Sequence, residues 1–125
     1  MASLGNHMKM QLSPRVRERA RAFYGDVLGC KTHPSPAADL DLFEFANGVF
    51  LGIYYDAAEA LPETDMLKAT WLEIKSDDVP ALQRKLLDFG VLPVDYSDKS
   101  RFYFQAPGGQ VFRLAPEDGA SKTSA

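Results

Sequence analysis

The feature that most constrains this 125-residue chain is a repeated order of turns and apolar runs at a separation of 61 positions. Gly29 and Gly90 stand 61 apart, as do Gly48 and Gly109. Under the same shift Leu42-Phe43-Glu44 overlies Tyr103-Phe104-Gln105, and Leu51-Gly52-Ile53 overlies Phe112-Arg113-Leu114. A repeat of that length describes one supersecondary unit made twice. In the first copy a strand over Lys9 to Leu12 meets Ser13-Pro14, a side-chain cap followed by proline at the first helical position. Val16, Ala20, Phe23 and Val27 then form one helical face, and Gly29 ends it. In the second copy a strand over Trp71 to Lys75 meets Asp77-Asp78 and Pro80, Val79, Leu82, Leu86 and Phe89 form the face, and Gly90 ends it.

Each copy closes in a hairpin, Asp39 to Ala46 with Val49 to Tyr55, and Arg101 to Ala106 with Gln110 to Ala115. The first turns at Asn47-Gly48, where both residues tolerate positive φ, and the second at Pro107-Gly108-Gly109. Weaker strands are expected over Lys31 to Ser35 and Val91 to Tyr96. The spacing therefore predicts an α+β fold of two βαβββ modules, residues 9–56 and 69–117, joined by 57–68. Residues 1–8 read as a leader and 118–125 as a disordered tail. A helix covers one sheet face in each module and leaves the other open. Alternation puts Trp71, Glu73, Arg113, Gly52 and Tyr54 on the open faces, with Lys9 and Gln11 there too on the first strand.

Composition limits the partners. A formal net charge of −3 and no basic stripe argue against a nucleic acid, and the uncharged run Phe45 to Tyr55 is far short of a membrane span. A single cysteine, Cys30, excludes an internal disulfide and fits a reducing compartment, the cytoplasm.

Ala22-Phe23-Tyr24-Gly25-Asp26-Val27-Leu28-Gly29 after a short strand, with Phe104-Gln105-Ala106-Pro107-Gly108-Gly109-Gln110-Val111-Phe112-Arg113-Leu114 near the end, resembles the vicinal oxygen chelate superfamily. That group includes glyoxalases, extradiol dioxygenases, fosfomycin-modifying enzymes and bleomycin resistance proteins. The resemblance covers residues 9–117 and implies a pair of βαβββ modules, often completed as a homodimer. It also implies a metal held by one His or Glu from the first and last strand of each module. Those positions fall here on Lys9, Gly52, Trp71 and Arg113. Protonated lysine and arginine offer no lone pair, glycine has no side chain, and indole nitrogen only donates.

The expectation is thus a metal-free protein without a cofactor that binds a small aromatic or cationic molecule, akin to the bleomycin resistance branch. Candidate contacts are Trp71, Tyr54, Glu73, Arg113, Gln11 and Lys9, with the ligand between modules or between subunits. Two alternatives stand beside it. One is an enzyme with unrecognised metal ligands or with Glu73 as general base; the other is a protein-interaction module. Arg113 and Glu73 either orient a ligand or pair with each other, and Trp71 and Tyr54 either stack on a ligand or plug the pocket. Cys30 and His33 fall on opposite faces of an extended segment with no clear acid partner. Glu44 reads as solvated, the helix arginines as a solvated face, and residues 56–68 as a solvated joint or a flap.

Overall fold

A computed structural model describes residues 1–117; the expected tail, 118–125, lies outside them. The chain divides into two compact units that meet at Leu61–Pro62. In the first unit β1 (His7–Leu12) leads through a 3-10 turn (Pro14–Val16), a short α1 (Arg17–Arg21) and a π-helical turn (Ala22–Val27) to β2 (Lys31–His33), β3 (Leu40–Glu44) and β4 (Phe50–Tyr55). The second runs α2 (Glu63–Met66), β5 (Trp71–Ser76), α3 (Val79–Phe89), β6 (Leu92–Pro93), β7 (Phe102–Gln105) and β8 (Val111–Pro116). The sheet orders are β1-β4-β3-β2 and β5-β8-β7-β6. In each the first and last strands pair in parallel and the rest antiparallel. A parallel pair needs a crossover, which the helix and two intervening strands supply. The architecture is α+β with two βαβββ modules. Among the described residues no helix is long and apolar enough to cross a membrane.

β1 begins at His7, earlier than expected, because His7 and Met8 pair with Phe50 and Leu51. The His7 ring stacks on Phe50 at 5.2 Å. The joining segment is not a free tether. Its first half turns back at Asp56, whose amide donates to Leu12 O. Its second half forms α2, and the Gln105 side chain donates to Glu63 O at 2.9 Å.

The helix of the first unit departs most from a regular α-helix. The Ser13 side chain caps its start and Gly29 ends the segment, but the last turn widens to i→i−5 spacing, with Leu28 N donating to Phe23 O at 2.9 Å. An extra residue in one turn rotates the following side chains. Tyr24, at the edge of the apolar face formed by Ala20, Phe23 and Val27, is wholly buried beside Phe23 and Phe43, its hydroxyl directed to Met10 Sδ at 3.7 Å.

Arg17 and Arg21 are not a solvated face either. Arg17 Nη2 donates to Asp41 Oδ1 at 3.0 Å, and Arg21 Nε and Nη2 to Asp41 at 2.9 and 3.0 Å. Asp41 is a buried residue on the helix-covered side of β3, and a buried carboxylate needs partners of opposite charge. Burial acts to raise its pKa, but the bonds from Arg21 and Arg17 outweigh it and hold the carboxyl below the usual range.

The hairpins share one closure. Phe45 N donates to Val49 O and Ala106 N to Gln110 O, each enclosing three residues. Gly48 has φ +85°, but Asn47 does not have positive φ, so this is a three-residue loop ending in left-handed glycine rather than a two-residue mirror-image turn. In the second loop Gly109 has φ +106°, and a Cβ there would sit 2.9 Å from Glu63 Cα. Only glycine lets α2 lie against this turn.

Candidate functional site

Alternation along the strands fixes what each open face presents. In the first unit Met10, Leu12, Leu51, Ile53 and Phe43 are buried under the helix, so Lys9, Gln11, Gly52 and Tyr54 face away from it. Lys9 Nζ donates to Gln11 Oε1 at 2.9 Å, and Tyr54 is exposed. A Cβ added at Gly52 would touch Leu40 and Leu42 at 3.5 and 3.6 Å, ordinary contacts that leave no donor atom at this position. Towards the hairpin end of this face His33 Nε2 lies 2.8 Å from Glu44 Oε1. The expected isolation of His33 and the solvated reading of Glu44 are both corrected: β2 pairs with β3 so that the two side chains share the open face. Cys30 is buried, and burial pushes its thiol pKa up to about 12, so it is a poor nucleophile.

In the second unit Phe112, Leu114, Leu72 and Ile74 face α3, while Trp71, Glu73 and Arg113 lie on the other side. Glu73 stands directly across from Arg113 in the parallel pair. Arg113 Nη2 and Nε donate to the same oxygen, Glu73 Oε2, at 2.6 and 3.0 Å. The guanidinium also lies over the Trp71 ring, 4.2 Å from its centroid. Tyr103, the other cross-strand partner of Arg113, packs edge-on to Trp71 at 5.9 Å and stacks on Tyr96 at 4.4 Å. Its hydroxyl donates to Asp98 Oδ2 at 3.0 Å, and Arg113 Nη1 is 3.9 Å from the same oxygen. Burial and the Asp98 carboxylate raise the Tyr103 phenol against the pull of Arg113. Tyr103 and Glu73 hold Arg113 above its ordinary value, so it is cationic throughout.

The candidate residues thus divide three and three: Lys9, Gln11 and Tyr54 on the first open face, Trp71, Glu73 and Arg113 on the second. Tyr96, Asp98 and Tyr103 join the latter and were not foreseen. Cross-strand parity with Arg113 was the available signal for Tyr103. Tyr96 and Asp98 sit in the connection between β6 and β7, where no period applies. Beside Trp71 the surface opens into a hollow of about 430 Å³ lined by Leu67, Lys68, Thr70, Trp71, Tyr96 and Val111, with Ala69 and Val94.

Register shows that the two inferred first-strand positions are not equivalent. Lys9 lies opposite Gly52 as Glu73 lies opposite Arg113, whereas Trp71, opposite Val111, is level with His7, opposite Phe50.

No family model and no curated protein matches the chain. Solved structures do. The trypanothione-dependent glyoxalase I of Leishmania major matches with a TM-score of 0.71 at 18% identity, over 98% of this chain and 93% of that one. The fosfomycin resistance protein FosX of Listeria monocytogenes matches with a TM-score of 0.68 at 16% identity, over 93% and 92%. TnmS3, an antibiotic binding protein from Streptomyces sp. CB03234, matches with a TM-score of 0.66 at 19% identity, over 92% and 96%. The fold is that of the vicinal oxygen chelate superfamily.

The residues at the inferred positions do not supply the donor set of a divalent ion. In the first unit Lys9 brings an ammonium and Gly52 nothing, and His7, level with Trp71, offers a single imidazole stacked on Phe50; in the second Trp71 only donates, Arg113 is a cation, and Glu73 is already bonded to it. Elsewhere among the described residues no group of three His, Cys, Asp or Glu side chains is placed to hold a metal.

Proposed function

We propose that this vicinal oxygen chelate fold serves as a metal-free binding protein that retains a small planar molecule rather than transforming it. The observation that carries the reading is the Glu73–Arg113–Trp71 arrangement. Where a metal centre would present lone pairs, the second unit presents a neutralised guanidinium laid on an indole, with Tyr103 and Tyr96 stacked alongside. Aromatic groups held in place beside a concave surface with apolar walls favour flat ligands. Lys9, Gln11 and Tyr54 are a second set of proposed contacts. The pairing with Arg113 weighs against Glu73 as a general base, because a base needs its oxygen within reach of the substrate proton. The antibiotic binding protein among the structural neighbours supports a retaining role for the fold; the glyoxalase neighbour is the counterweight.

Trp71 is the only tryptophan, so its fluorescence reads the site directly. Screened against planar heterocycles and polycyclic natural products, the wild-type protein should give saturable quenching with stoichiometric binding and no turnover. Trp71→Ala should stay folded by circular dichroism and lose binding of the same hits in calorimetry. Turnover of a hit, or a stoichiometric metal in protein purified without chelator, would refute the proposal. A homodimer in the cytoplasm belongs to the same proposal, and light scattering at micromolar concentration should give about twice the chain mass.

A further inference from the structure

Resting on that binding reading, we infer that the hollow beside Trp71 selects a flat aromatic anion, such as an aromatic carboxylate, with its ring against Trp71 and Tyr96 and its charge at Lys68. The hollow, about 430 Å³, is an open one, with Leu67, Lys68, Trp71 and Tyr96 all reached by solvent, and is large enough to seat a two-ring ligand. Leu67, Ala69, Val94 and Val111 supply apolar walls, Trp71 and Tyr96 supply rings, and no carboxylate lines the hollow. Lys68 is its one cationic residue, and among the described residues its ammonium has no ion pair.

Of the carboxylates around the ring cluster, three are already engaged, and those of Glu63 and Asp65 on α2 do not line the hollow. Glu73 is held by Arg113, Asp98 by Tyr103 and Ser100, and Asp95 by Lys99. A ligand cation entering the hollow would meet Lys68 unopposed, whereas an anion would complete its pairing. The sign is opposite to that suggested by the protein's overall acidity, since the local partner decides recognition.

The wall carrying Lys68 is held in place before any ligand arrives. Gln105 Nε2 donates to Glu63 O at 2.9 Å and to Gly109 O at 3.0 Å, and Gln110 Nε2 donates to Thr70 O at 3.0 Å. These two buried amides pin both ends of the segment from α2 to β5 to the β7–β8 hairpin. A pre-set wall lowers the ordering cost of binding.

Calorimetry with three probes of one shape tests the assignment: naphthalene-2-carboxylate, naphthalene-2-carboxamide and naphthalen-2-ylmethylammonium. The carboxylate should bind about tenfold more tightly than the amide, a difference near 1.4 kcal/mol, and the ammonium most weakly. Lys68→Gln should abolish the carboxylate advantage while leaving amide affinity unchanged, and Lys68→Arg should retain it. Equal or tighter binding of the ammonium, or an advantage that survives Lys68→Gln, would overturn the anion assignment while leaving the binding reading intact. Failure of all three probes while the wider screen yields Trp71-dependent binders would also overturn the assignment alone. Failure of probes and screen together would remove both.

Discussion

Asp41 shows how one side chain ties a helix to a sheet. Its carboxylate is buried and takes three hydrogen bonds from Arg17 and Arg21. Asp41→Asn should lower unfolding free energy by about 2–3 kcal/mol in urea titrations, because two guanidinium groups lose their counter-charge while half-exposed Arg21 keeps access to water. Its folded pKa is depressed, so its contribution is complete above the ordinary carboxylate range of about 4. That contribution should fade as the pH falls through the folded value, and the Asn variant should show a flatter acid limb. Cys30 gives a second check at this scale. With its thiol pushed up to about 12 and buried, it should react with a disulfide reagent at pH 8 only after denaturant is added. Rapid labelling of the native protein would contradict the burial. Neither pairing was legible in the sequence: arginines spaced along a helix look the same whether their partner is water or a carboxylate 20 to 24 residues away.

At the scale of elements, the turns and the widened helix carry the information. Gly109→Ala should cost about 2–4 kcal/mol, combining a left-handed backbone penalty with a clash against α2. Gly48→Ala should cost only the backbone part, since no atom lies within 4 Å of its added Cβ. Equal losses in thermal melts would show that α2 does not press on the second hairpin. Tyr24→Ala should cost about 3–5 kcal/mol, as expected for a large buried ring, whereas Tyr24→Phe should cost far less because it keeps the ring and gives up a weak bond to sulfur. Strands, caps and turn glycines were readable because each has a local physical cause. The π-helical turn was not, because it replaces the 3.6-residue period on which the reading depends. The longer helical segment of the first unit, Pro14–Val27 against Val79–Phe89, explains why the inferred positions on β1 and β5 are not equivalent. Arg113 follows Gly52 by 61 residues, but Glu73 follows Lys9 by 64, so the repeat measured on the hairpins does not extend back through helices of unequal length.

For the whole molecule, the open faces had been foreseen in kind, since alternation alone puts Trp71, Glu73 and Arg113 on one side of their sheet. What alternation cannot supply is pairing, or the loop residues Tyr96 and Asp98 that complete the aromatic cluster. A ligand that occupies this site should stabilise the fold by mass action, by about 2.7 kcal/mol at a hundredfold excess over Kd. The accompanying rise in Tm should disappear in Trp71→Ala, and a rise that persists there would locate the ligand elsewhere.

The unequal pairing also means that the halves are not chemically equivalent. A gene stitched from two copies of the later half would encode the arginine–glutamate couple twice, and one stitched from two copies of the earlier half would encode it nowhere. The scaffold is present twice, and the asymmetry lies in the helical segment and in what sits opposite what on the parallel strands.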